Sequence, residues 1–545
     1  MVLGTTSPLT FDHHLYGAKS APSNVNGSTT ATSSRKRKFE VDTAAESRTA
    51  PRRAKLAKSK SDRDGSARSK DTQTSAAAVT KQAKAAPAKK GGRVEGSRST
   101  PLPVINKAPT QVLQVIAFGS GECGELGLGP KLKEKPRPFV NPFLDGSAPN
   151  AFHVVQLDCG GMHTIALTYD NKIVTWGVND RGALGRDTTW DGGLRDVDAE
   201  SDDEDEQLNP AESTPAQVPA DSFPPGTSFV QVAAGDSCSF ALTDTGLVYG
   251  WGTFLDAEAN PRFFFTGNEL VEVRHRPSLI PGLENIVQVA CGSNHAIALD
   301  QAGNVWAWGV NQKNQLGYHL FESRQYKQRL LESFQPQRVN LRRNKAKYVA
   351  SGVDHSFAID QKDNVWAWGL NRYGQAGYAK DAGSDNICLP YPMKIPDLGG
   401  KGVTVLSGGA DHSAAITAGG QCLVWGRIDG GQLGVELNAE QLQDETLTRR
   451  DDRGLPRICL RPIPVTNIGT AAHVSCATGH TIFINTEGQA FGSGFGSMGQ
   501  LGIASEDDTN VAEKITGAAV KGKQLKWCGT GGQFSLVAAP ADAAS

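Results

Sequence analysis

Val154-Val155-Gln156-Leu157-Asp158-Cys159-Gly160-Gly161-Met162-His163, followed by Trp176-Gly177-Val178-Asn179-Asp180-Arg181-Gly182-Ala183-Leu184-Gly185, is the stretch on which the fold turns. Its first half is an apolar strand that ends in a G-x-x-H turn. Its second half is an aromatic-Gly strand end, a turn and a small-residue motif. The first half recurs at 235–238, 292–295, 352–355 and 409–412, with weaker copies at 477–480 and 531–534. The second half begins again at Phe118, Trp251, Trp308, Trp368, Trp425 and Phe491. Each half therefore occurs seven times.

The order of the halves matters more than their number. The second half at Phe118 has no first half before it, and the first half at 531–534 has no second half after it. Together they complete one repeat. This is how a circular array of sheets closes, with strands from both ends of the chain sharing a blade so that no open sheet edge remains. The reading predicts an all-β fold, a seven-bladed β-propeller over 109–540 behind a disordered basic tail over 1–108.

The formal net charge of −1 hides an asymmetry: residues 1–108 hold 21 Lys and Arg against 8 Asp and Glu, leaving 35 against 49 for the rest. A tail so poor in large apolar side chains cannot offset the entropy of ordering. Its two basic clusters, Arg35-Lys36-Arg37-Lys38 and Arg52-Arg53-Ala54-Lys55, read as a two-part nuclear localisation signal for an import receptor. The same charges would release counterions from DNA without reading its sequence.

The nine cysteines form no C-x-x-C pair, and Cys159, Cys291, Cys476 and Cys528 read as small core residues at one equivalent place in the repeat. No apolar run of about 18 residues is present, which argues against membrane spanning. The recurrent His163, His295, His355, His412 and His480 invite a metal or catalytic reading. Their presence in blade after blade instead predicts that each satisfies the same buried backbone group in its own blade. Trp306 with Trp308, and Trp366 with Trp368, alternate with period two and read as interblade packing. No nucleophile, metal-ligand set or phosphate-binding loop stands out, so no cofactor is expected.

Cys159-Gly160-Gly161-Met162-His163-Thr164, Asn179 to Thr188 and Ala234-Gly235-Asp236-Ser237 resemble the regulator of chromosome condensation family from about residue 111 to 538. The resemblance implies a guanine-nucleotide exchange factor for the small nuclear GTPase Ran, acting on chromatin in the nucleus as a monomer. Such a protein makes and breaks no covalent bond. In the third-strand connection of one repeat, Trp251-Gly252-Thr253-Phe254-Leu255-Asp256 lacks the Gln-Leu-Gly ending. Thr253, Phe254, Leu255 and Asp256 resemble the family's nucleotide-prying wedge, with 256–260 and Pro261 read as an extruded loop. Carried over residue by residue, the GTPase contacts are Glu122, Asp236, Asn294 and Asp411, with Asn294 where the family has Asp and Asp411 where it has His.

Two insertions interrupt the repeats. The first, about 190–212, contains Asp202-Asp203-Glu204-Asp205-Glu206 and reads as a solvated acidic loop. The second, about 320–336, resembles the family's nucleosome-contacting loop and offers Arg324, Lys327 and Arg329 to histones. The rival readings are a chromatin- or protein-binding propeller without exchange activity, and a light-sensing propeller. Against the latter, no Gly-Trp-Arg-His-Thr segment occurs.

Overall fold

The computed structural model describes residues 102–541 apart from 147, 149, 192–206, 267–268, 322–324, 385–386 and 506. The proposed localisation signal (Arg35, Lys36, Arg37, Lys38, Arg52, Arg53, Lys55), Arg324 and the acidic run 202–206 lie outside these residues.

Each repeat folds as an antiparallel sheet whose strands are neighbours in chain order. Blade 1 comprises Val154–Cys159, His163–Thr168, Ile173–Gly177 and Ala216–Gln217. Blade 2 comprises Phe229–Ala234, Cys238–Thr243, Val248–Gly252 and Arg274–Leu279. Blades 3 to 6 follow, with second strands His295–Asp300, His355–Asp360, His412–Thr417 and His480–Asn485; blade 5 carries an additional outer strand, Thr448–Arg450. Blade 7 has the order Glu134–Val140, Leu113–Ser120, Phe534–Pro540, Trp527–Thr530, so its outer half comes from one end of the propeller sequence and its inner half from the other. Leu113 pairs with Pro540 and Gly119 with Phe534 across this seam. The innermost strand of blade 1 touches those of blades 2 and 7, which closes the ring.

The second strands of blades 1 to 6 are buried at every position, because both faces of each blade are covered by its neighbours. This explains why runs such as His-Ser-Ala-Ala-Ile-Thr lack the polar alternation of a half-exposed strand. Gly127, Gly185 and Gly317, each after the recurrent leucine, admit the indole of the next blade. At Gly185, with φ +66°, an added Cβ would lie 2.8 Å from Trp251 Nε1.

The histidines differ from the sequence expectation. Each reaches a hydroxyl in the next blade instead of a backbone group in its own: His163 to Ser239 (2.9 Å), His295 to Ser356 (2.8 Å), His355 to Ser413 (2.8 Å), His412 to Thr481 (2.7 Å) and His480 to Ser535 (2.9 Å). The hydroxyls donate to the carbonyls of Ala183, Gln315, Gln375, Gln432 and Gln500. With the hydroxyl hydrogen committed there, Nε2 of each imidazole carries its proton and donates. Two junctions break the series, and only the first does so in matched fashion, since Thr164 keeps a hydroxyl at the second. Cys238 replaces the histidine where Ala296 replaces the hydroxyl, and Phe534 replaces it at the closing seam.

The same carbonyls accept the indole N–H of Trp251, Trp368 and Trp425. Trp306 and Trp366 instead donate to Asp300 and Asp360 of their own blades. Trp308 is fully buried, yet its N–H has no hydrogen-bond partner among the described residues. The blade before it is blade 2, which lacks the Gln-Leu-Gly turn that would supply the carbonyl. Trp308→Phe is therefore expected to cost about 1 kcal/mol less than Trp368→Phe, since only the latter removes a buried hydrogen bond. Urea midpoints of the two variants test this, and equal losses would refute it.

Cys159, Cys291 and Cys476 end innermost strands as expected, but Cys528 falls two residues earlier in its repeat, against His473 Nδ1 at 3.2 Å. All nine cysteines are free thiols. The segment before the first strand is also tied down within the span expected to be disordered. Ile105 and Asn106 donate backbone N–H groups to the Asp244 carbonyl at 2.8 and 3.0 Å, and Asn106 Nδ2 donates to Ile286 O at 2.8 Å.

Candidate functional site

In an antiparallel blade, the turn between strands one and two and the connection between strands three and four emerge at the same end. All the G-x-x-H turns, the connection bearing Glu122, the segment after Gly252 and the 320–336 insertion therefore leave their blades at one face. Ile105 and Asn106 dock on the second-to-third turn of blade 2, at the other face.

On the first face, among the described residues, blade 2 alone puts out a pair of hairpins. Phe254–Leu255 pairs with Pro261–Arg262, and Phe264–Thr266 with Glu269–Val271. The expected loop is thus a folded wedge that continues beyond Pro261. Its root is apolar. Phe254 is fully buried, with its ring centroid 6.2, 6.0 and 6.4 Å from those of Phe240, Phe263 and Phe334. Buried Thr253 donates its hydroxyl to Glu272 O at 2.6 Å. Asp256 knots the tip, accepting from Arg262 Nε at 2.6 Å, Asn260 N at 2.8 Å and Glu258 N at 3.1 Å.

Of the four residues singled out from sequence, Thr253, Phe254 and Leu255 are consequently the root of the wedge, and Asp256 ties its tip. The exposed tip is Ala257, Glu258, Ala259 and Asn260, within the stretch read from sequence as an extruded loop. The wedge also leans on blade 3, where Ala257 N donates to Gln312 Oε1 at 2.8 Å.

The predicted contact residues have different surroundings. Asn294 is a brace: its Oδ1 accepts the Leu255 N–H at 2.7 Å. The amide oxygen does what a carboxylate oxygen would do there. Asp236 is half-buried and lies against blade 1, where a Cβ on Gly161 would fall 2.7 Å from Asp236 Oδ1. Burial pushes its carboxyl up, opposed by a hydrogen bond from Ser293. Asp411 is also raised by burial, against the pull of Arg427 at 3.4 Å. Glu122 is exposed on the blade 7 connection.

One carboxylate was missed. Asp354 occupies the same turn position in blade 4 as Asn294 and Asp411 in blades 3 and 5. Burial raises its carboxyl to about 6, and the charges of Asp236 and Asp411 add to the rise while Lys313 opposes it. Alignment of the repeats alone would have found it. Asp354 thus feels both Asp236 and Asp411, and the three give the face an acidic centre beside the wedge.

Lys327 and Arg329 are exposed on a short helix, Tyr326–Glu332, whose following residue Phe334 packs on the wedge root. The 320–336 insertion and the wedge share a base. Among the described residues, no group of three or more His, Cys, Asp or Glu side chains is arranged to hold a metal, and no helix is long and apolar enough to cross a membrane. The face offers shape and charge.

A family model described as an RCC1-like domain matches residues 114–537. The chain is 36% identical over 437 residues to the guanine nucleotide exchange factor SRM1 of Saccharomyces cerevisiae, covering 78% of this chain and 87% of that protein. The crystal structure of Prp20p from Saccharomyces cerevisiae, described together with its binding properties to Gsp1p and histones, superposes with a TM-score of 0.70 at 33% identity over 80% of this chain and 93% of that one. Yeast RCC1 (Prp20) bound to Kap60 gives 0.71 at 32% identity, covering 84% and 97%.

Proposed function

From the premise that this chain belongs to the RCC1-like domain family, we propose that it is a guanine-nucleotide exchange factor for the nuclear GTPase Ran, acting on chromatin. The observation that carries the reading is a folded wedge raised by one blade only, beside an acidic centre built from its neighbours. Exchange needs no covalent chemistry. A factor that binds the empty GTPase more tightly than the loaded one weakens nucleotide affinity by the same factor. The wedge tip would occupy space at the nucleotide site. Asp236, Asp354 and Asp411 would attract basic groups that otherwise hold phosphate, and Glu122 would extend the contact at the rim. Asn294 acts through the wedge, by holding Leu255.

The tail is proposed to carry the nuclear import signal and to contact DNA, and Arg324, Lys327 and Arg329 to contact histones.

The test is release of labelled GDP from Ran with and without the full chain. Catalytic amounts are expected to accelerate release, and Asp236→Ala to slow the accelerated rate about tenfold through loss of one buried interfacial charge. No acceleration would leave a chromatin-binding scaffold, and an unchanged Asp236→Ala rate would remove that residue from the site.

A further inference from the structure

Between Phe254 and Arg262 the wedge carries three ionisable side chains, Asp256, Glu258 and Arg262. Two of them neutralise each other: Arg262 Nε meets the nearly buried Asp256 carboxylate at 2.6 Å. Glu258 is the charge left over. It is exposed, and the Ala259 N–H that donates to Asp256 O at 2.9 Å puts it at the corner of a tight turn. Among the described residues its carboxylate enters no ion pair.

The corner is held from another blade. Gln312, on the third-to-fourth strand connection of blade 3, grips two successive tip residues with the two ends of its amide. Its Oε1 accepts the Ala257 N–H at 2.8 Å, and its Nε2 donates to Glu258 Oε2 at 3.4 Å. The platform beneath is itself fixed, because Asn311 Oδ1 accepts from Leu316 N at 3.1 Å and Asn311 Nδ2 donates to Tyr318 O at 2.9 Å. Ala259, left-handed at φ 60°, stiffens the turn further, since alanine has fewer alternative conformations than glycine. One carboxylate is therefore presented at the tip in a set direction.

A wedge that acted by bulk alone would gain nothing from that charge. Burying an unpaired carboxylate in a partner costs several kcal/mol, so the tip enters a partner only where a cation meets it. The phosphate site of a GTPase supplies one: a lysine ammonium holds the phosphates and loses its counter-ion when the nucleotide leaves. We propose that Glu258 pairs with that ammonium in the nucleotide-free GTPase, and that Gln312 is the positioning residue that aims it. This rests on the exchange reading and deepens it. The pair forms only in the empty GTPase, where phosphate no longer competes, so by linkage it weakens nucleotide binding by the same factor.

The experiment uses the full chain and reads two quantities: steady-state GDP release from Ran, and affinity for Ran both nucleotide-free in EDTA, where no Mg²⁺ is present, and GDP-loaded in Mg²⁺. E258Q keeps the shape of the tip and removes its charge. It is expected to lower kcat about 30-fold with KM within about twofold, the scale of one hydrogen bond between charged groups. Its affinity for nucleotide-free Ran should fall by the same factor, about 30-fold, with GDP-loaded binding unchanged. Q312A is expected to lower kcat about fivefold, and E258Q/Q312A to be no slower than E258Q, because Gln312 acts through Glu258. Additive losses would overturn that role of Gln312. Wild-type kcat in E258Q, or a kcat loss without the selective loss of empty-form affinity, would overturn the pairing and leave the exchange reading standing. If the wild type accelerates no release, the exchange reading fails and the pairing with it.

Discussion

Asp256→Ala is expected to lower Ran nucleotide release by about 100-fold, the scale of loss that follows when an acting group is misplaced by about an ångström. Asp256 is nearly buried and gathers Glu258 N, Asn260 N and Arg262 Nε onto one carboxylate. Those bonds define the tip, where Ala259 sits in the left-handed region at φ 60°. Without the carboxylate, the two-residue pairing of Phe254–Leu255 with Pro261–Arg262 has little to hold it. The apolar root should survive, because Phe254, Phe263 and Phe334 pack independently of the tip. The expected signature is a fall in kcat with the thermal midpoint of the propeller little changed. A variant with wild-type kcat would show that the tip conformation is irrelevant to exchange.

The second large effect is acid destabilisation. Burial depresses His163 and His473 to about 4, and His295, His355, His412 and His480 to about 3. The unfolded chain, with histidines near 6.5, binds more protons below that pH, so stability falls as pH drops from about 6.5 toward about 3. Each histidine then loses about 2 kcal/mol between pH 6.5 and 5. The buried carboxyls act in the opposite sense. Asp158, raised by burial to about 7, and Asp354, raised to about 6, are penalised when charged and recover stability on acidification. Together they return about 4 kcal/mol between pH 7 and 5, less than the six histidines lose. Urea midpoints at pH 5, 6 and 7 are expected to fall with pH, and His480→Gln to flatten the trend. A midpoint that is constant or rises on acidification would contradict the interblade histidine arrangement.

This histidine series shows where local reading stops. Repetition of His163 and its counterparts marked them as structural, and that was sound. Their partners are hydroxyls one blade away, between 55 and 76 residues along the chain. The matched loss of Cys238 and Ala296 becomes intelligible only when the blades are side by side. The orphaned Trp308 N–H likewise belongs to one blade while its cause lies in another.

Sequence by itself determined the all-β repeat, its seven copies and the shared closing blade, because hydrophobic period, turn glycines and the order of half-repeats are properties of contiguous residues. It also located the wedge as a failure of the repeat. The tertiary structure decided that the wedge is two hairpins, that Thr253 to Leu255 form its root while Asp256 ties its tip, that Asn294 braces it and that Asp354 joins the acidic centre. It alone set Gln312 against Ala257 and Glu258. The physical reason is the same throughout. Local pattern specifies a blade, whereas contacts between blades depend on how closed packing turns and offsets one sheet against the next.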